Sequence, residues 1–174
     1  MTVFGGDIIF AADINAVAAA SSEKPMVRLV ASGTQSIPDA TQTAVLFSAE
    51  EWDTHGFHST SVNTSRITPT VAGKYTFNAT YYTSGNTDYV TTDVAVGKNG
   101  TAGLATAPAE RRAYSTPATQ VTNAHSLQVV VTLEANGTTD YFEMIVFQDS
   151  AGAKNTNQSA RFTGVFECVY ERPL

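Results

Sequence analysis

The chain has 174 residues, 43% hydrophobic and 10% aromatic, enough to fill one core and too apolar for wholesale disorder. Its net charge of −6 and scattered basic residues, with Arg111-Arg112 the one adjacent pair, speak against nucleic acid and anionic membrane as partners. No apolar run approaches the roughly 20 residues needed to insert through a bilayer.

Charged residues make up only 15%, and Thr, Ser, Asn and Gln take their place. Such a surface loses little when buried against a neighbour, because few charges need desolvating; it can equally be an exposed, uncharged surface. The start lacks the charged, apolar and small-residue regions of a secretory leader. The single Cys168 lies in an apolar strand-like run and reads as a buried, inert thiol, which is consistent with synthesis in a reducing cytoplasm.

Residues 1–25 read as a separate segment. Ile8-Ile9-Phe10 is a short apolar run, and Ala11 to Ala20 reads as a short helix with Asp13 near its start. Ile14, Val17 and Ala18 form one narrow stripe on it. A helix this short needs a surface to pack on, so Ile8, Ile9, Ile14 and Val17 are candidate docking residues. Pro25 closes the segment as a hinge.

Residues 26–174 read as β throughout. Val27 to Val30 and Ala44 to Phe47 are strands, the second ended by an acidic turn at Glu50-Glu51-Trp52-Asp53. Arg66-Ile67-Thr68-Pro69 is a short edge piece, since Pro69 cannot donate to a ladder. From Lys74 to Thr83, Tyr75, Phe77, Ala79 and Tyr81 share one face. Tyr89 to Val96 is the next strand and runs into the turn Lys98-Asn99-Gly100. Residues 101–122 read as a long loop with one short strand. Ser126 to Glu134 and Tyr141 to Gln148, joined at Asn136-Gly137, read as a hairpin. Arg161 to Tyr170 closes the domain.

Eight to ten short strands with no long helix predict an all-β sandwich or jelly roll. In the proposed hairpin, Val130 and Ile145 face away from the set containing Leu127 and Phe142, so both faces are apolar. The outer apolar residues are explained either by an oligomer interface or by a covering loop.

Several of these strands resemble, in order, the globular head of complement C-one-q and its relatives in the tumour necrosis factor superfamily. Gly73-Lys74-Tyr75-Thr76-Phe77 is similar to that family's Gly-x-Tyr-x-Phe strand, and Val94 to Gly100 to its strand ending in an Asn-Gly turn. Leu127 to Leu133 followed by Asp140-Tyr141-Phe142, and the closing Phe162-Thr163-Gly164-Val165-Phe166, are also similar. The resemblance spans residues 40 to 170 and implies a ten-stranded jelly roll that packs as a homotrimer. Tyr75, Phe77, Val130, Tyr141, Ile145 and Phe147 are then candidates for the trimer interface or the core. Phe4-Gly5-Gly6-Asp7 through Asp13-Ile14-Asn15 resembles the opening of phage tail and fibre proteins. That implies a virion location, assembled in the bacterial host, with other virion proteins as partners.

The sequence holds no nucleophile elbow, phosphate loop or dinucleotide fingerprint, so neither catalysis nor a cofactor is expected. His55 and His58 beside Asp53 raise the question of a metal, but no further ligand completes a shell. Trp52, Tyr81, Tyr82 and Tyr89 are candidate ligand-facing aromatics, able to stack on a host-surface glycan or receptor.

Overall fold

The computed structural model describes residues 23–83, 91–100, 112–115, 125–156 and 163–174. Within them lie twelve strands: β1 Met26–Val30, β2 Ser36–Ile37, β3 Thr43–Ala44, β4 Ala49–Asp53, β5 Arg66–Ile67, β6 Gly73–Thr83, β7 Thr92–Lys98, β8 Arg112–Ser115, β9 His125–Ala135, β10 Phe142–Gln148, β11 Lys154–Asn155 and β12 Val165–Arg172. Two five-stranded sheets face each other. The first runs β4-β1-β12-β6-β9; the second runs β3-β10-β7-β8, with β5 also on β10, and β11 and β2 form a small ribbon. All ladders between these strands are antiparallel, and the architecture is the expected jelly-roll sandwich.

Strict alternation builds the first sheet. On β6, Tyr75, Phe77, Ala79 and Tyr81 are buried while the residues between them are half-buried. Val27 and Leu29 on β1, and Phe166 and Cys168 on β12, join them from the same side. The second sheet contributes Val94, Val96, Phe142, Met144 and Val146. Phe77 meets Phe142 across the gap at 4.3 Å between ring centroids, and Phe166 at 6.1 Å. Burying one such ring stabilises the fold by roughly 1.5–3 kcal/mol. Burial also pushes the Cys168 thiol well above its usual range, with the Asp53 and Glu167 charges adding to the effect, which leaves it unreactive.

Three expectations are corrected. Residues 126–134 and 141–148 do not form a hairpin: β9 pairs with β6, while β10 pairs with β7 in the other sheet. Residues 136–141 carry the chain from one sheet to the other. The Asn136 Oδ1 accepts from the backbone N–H groups of Thr138 (2.9 Å), Thr139 (2.9 Å) and Asp140 (3.0 Å), which holds the crossing open where a tight turn would close it.

Asp140 then anchors the crossing. Its carboxylate accepts from the Asn99 side chain (2.8 Å) and the Asn136 N–H (2.9 Å), and it pairs with Lys98 at 2.9 Å. Desolvation opposes its ionisation, but the hydrogen bonds from Asn99, Lys98 and Asn136 and the Lys98 charge outweigh it, and the pKa falls below its ordinary value. Asn99 and Gly100, both at positive φ, form the turn expected after β7.

The second correction concerns residues 44–47. Strand geometry ends at Ala44, and beyond it Val45 N–H reaches the Met144 carbonyl (2.9 Å) and Phe47 N–H the Thr64 carbonyl (2.9 Å). Val45 and Phe47 still point into the core. Third, residues 50–53 are not a turn but the body of edge strand β4, whose exposed Glu50 and Glu51 discourage pairing with a further strand. The helix expected near the N-terminus, and Ile8, Ile9, Ile14 and Val17 with it, falls outside the described residues, as does most of residues 101–122.

Candidate functional site

The open face of the first sheet carries a cross-strand row read directly from the register: Trp52, Arg28, Glu167, Asn78 and Val130. Arg28 Nη1 donates to Glu167 Oε2 (2.7 Å), and Arg28 Nε pairs with Glu51 at 2.8 Å. Asn78 Nδ2 donates to Glu167 Oε1 (2.8 Å), and Gln128 Nε2 donates to Asn78 Oδ1 (2.8 Å). The Arg28 guanidinium also lies 5.4 Å from the Trp52 ring centre. Parallel rows hold Met26, Val169, Thr76 and Thr132 on one side and Val30, Val165, Thr80 and Gln128 on the other. This face therefore mixes internally paired charges with aliphatic side chains, and Val130 stands 58% exposed on its outermost strand. Covering such a face costs less than covering unpaired charges, because Arg28 already holds Glu167 and, at the rim, Glu51.

The outer face of the second sheet is different. Ile145 is 7% exposed and packs with Ala95, Ala44 and Phe147 into a small cluster. Ile145, a candidate for the interface or the core, is thus covered within the single chain. Beside the cluster, Glu143 accepts from the Ser65 hydroxyl (2.7 Å) and faces Arg66 Nε at 3.5 Å.

A cleft of about 440 Å³ opens between the loop leading from β4 to β5 and the start of β10. Asp53 folds that loop by accepting from the N–H groups of His55 (3.2 Å) and His58 (2.9 Å). The opposite wall is Tyr141, with the Arg66 guanidinium 3.9 Å from its ring centre. His58 Nε2 lies 3.1 Å from the Phe47 carbonyl, which can only accept, so that nitrogen carries the proton. Nδ1 is then a lone pair, buried and without a hydrogen-bond partner among the described residues.

Burial lowers the His58 pKa from 6.5 even though Glu50 and Asp53 pull it upward. A folded pKa below the unfolded one means the unfolded chain takes up the proton first. Stability should therefore fall as pH drops through about 6.5 and level off below the folded value. His58→Gln is expected to flatten that slope, read as the thermal midpoint between about pH 7.5 and pH 5.

Among the residues expected at a site, Tyr75 and Phe77 are fully buried core and have no surface to offer a second chain. Val130 lies on the open face, Tyr141 in the cleft, and Ile145 with Phe147 on the second sheet. Trp52, 41% exposed, and Tyr82, half-buried, share the open face but are not brought together. Trp52 stands in the row of Asn78, four residues along β6 from Tyr82. Tyr81 is core, which removes it from any ligand-facing role. Tyr89 lies outside the described residues. His55 Nδ1 contacts the Thr54 hydroxyl at 2.8 Å, and no group of three or more metal-ligating side chains converges among the described residues. Arg66 and His58 as cleft residues had no sequence signal beyond their residue types.

Comparison with solved structures gives the same architecture. The crystal structure of murine APRIL at pH 5.0 superposes with a TM-score of 0.59 at 13% identity, covering 86% of this chain and 100% of that one. Eiger TNF from S. frugiperda superposes with a TM-score of 0.54 at 9% identity, covering 87% and 94%. The fold is therefore a TNF-like jelly roll. No protein-family model and no curated protein sequence matches the chain.

Proposed function

We propose that this chain is a non-enzymatic structural protein of a bacteriophage particle. In this reading it forms a homotrimeric jelly-roll head, docked through residues 1–25 on a tail or capsid protein. The observation that carries the self-association is the open face of β4-β1-β12-β6-β9, with its paired Arg28 and Glu167 and its exposed Val130. The TNF-like fold supports a trimeric head, and the low charge of the chain supports burial against neighbours. The phage context rests on the resemblance of residues 4–15 to tail and fibre openings. A lasting trimer of this kind should bury well above roughly 1,200 Å².

Native mass spectrometry of the full chain tests the assembly. A three-chain species is expected, and Val130→Lys should shift it towards single chains while the fold persists by circular dichroism, since an exposed position tolerates a charge in the monomer. A wild-type monomer at micromolar concentration would overturn the assembly. Detection of the chain in purified particles tests the virion reading separately. A second reading, a head that recognises a host-surface receptor or carbohydrate, is favoured by the cleft beside Tyr141.

A further inference from the structure

We propose that the cleft between the β4–β5 loop and Tyr141 binds a carboxylate-bearing sugar, with Arg66 holding the carboxylate and the surrounding hydroxyl and amide groups meeting the sugar hydroxyls. The proposal rests on the ligand-recognising reading and needs no second chain for the described lining residues, all of which one chain supplies.

Arg66 is set up for the task. Stacking on Tyr141 and the Glu143 carboxylate beside Nε fix its plane, and no hydrogen bond among the described residues engages its terminal nitrogens. A guanidinium ordered in advance loses little entropy on gripping a planar, two-oxygen acceptor. Among the described residues Arg66 is the one permanently charged group lining the cleft, and no Asp or Glu lines it, although acids outnumber bases 16 to 10 in the chain. Glu143 offsets part of the Arg66 charge from behind, which favours a singly charged carboxylate over a dianion. The rest of the lining suits a polyol. Thr139 Oγ1 accepts from the Asn136 side chain (2.7 Å), which leaves its own proton to donate. The volume of about 440 Å³ lies in the range of small-ligand sites and accommodates one or two sugar rings.

The test is titration of the full chain with methyl glucuronide and with methyl glucoside, followed by ligand-detected NMR and calorimetry. The glucuronide is expected to bind with a dissociation constant in the millimolar range, roughly tenfold tighter than the glucoside. Arg66→Met should erase that preference, whereas Thr34→Ala, exposed between β1 and β2, should leave it intact. Should Arg66→Met fail to fold, Arg66→Lys keeps the charge beside Glu143 but loses the planar fork, and should weaken glucuronide alone. Equal binding of both glycosides, or a preference that survives both Arg66 variants, overturns carboxylate recognition while leaving a ligand-recognising head standing. No binding of either glycoside up to about 20 mM overturns both.

Discussion

Phe77→Ala is expected to cost about 3–5 kcal/mol, a large share of the 5–15 kcal/mol that holds a domain of this size folded. Phe77 is fully buried at the middle of β6 and touches both sheets. Its ring lies 4.3 Å from that of Phe142 opposite and 6.1 Å from that of Phe166 on the adjoining strand, with Tyr75 at 6.4 Å. Truncation therefore removes the transfer free energy of the ring and leaves a cavity. The neighbours are rings held by the backbone ladders of both sheets and cannot collapse far into it. Urea unfolding should show a lower midpoint with an unchanged slope, measured at several protein concentrations so that any assembly equilibrium is separated from the chain's own stability. A loss under about 1 kcal/mol would mean the two sheets are not packed as described.

Gly137→Ala should be nearly as damaging, and for a different reason. Gly137 sits at φ +73°, where an added Cβ costs roughly 1–2 kcal/mol on conformation alone. That Cβ would also press on the backbone of residues 71–72, reaching the Val71 carbonyl carbon at 2.8 Å, and backbone cannot swing aside as a side chain can. Overpacking adds roughly 1–3 kcal/mol. Gly56 supplies the control: its φ is +65°, yet nothing lies within 4 Å of its hypothetical Cβ. Gly56→Ala should therefore cost only the conformational part. Chemical denaturation of the two variants side by side measures the difference, and equal losses would show that the crossing loop does not press on residues 71–72.

The jelly roll itself was legible because alternation is a local signal. Tyr75, Phe77, Ala79 and Tyr81 at every second position announce a half-covered strand, whatever its neighbours. Pairing is not local, and there the reading failed. Asn136-Gly137 carries the residue types of a tight hairpin, but the Asn136 side chain spends its acceptor on three successive N–H groups and sends the chain across the sandwich. Apolar residues on both faces of β10 had the same cause. Phe142 and Met144 fill the space between the sheets, while Ile145 closes a small cluster behind them. The acidic run at Glu50-Glu51 looked like solvated turn, because this edge strand buries none of its residues and so shows no apolar alternation. The cleft was invisible for a further reason. His58, Arg66 and Tyr141 come from an irregular loop and two separate strand ends, with no period linking them.

The antiparallel pairing of β1 with β12 has a mechanical consequence. Met26 lies opposite Val169, and the Pro25 carbonyl accepts from the Tyr170 N–H at 2.9 Å, so the first and last strands begin and finish at the same rim of the sandwich. A load applied between residue 25 and residue 172 would peel these strands apart one rung at a time, as a zip opens. Tension entering at residue 25 and leaving through the far rim would instead strain every rung at once. A domain held at residue 25 and pulled from the opposite rim would load the β1–β12 seam in its stronger direction.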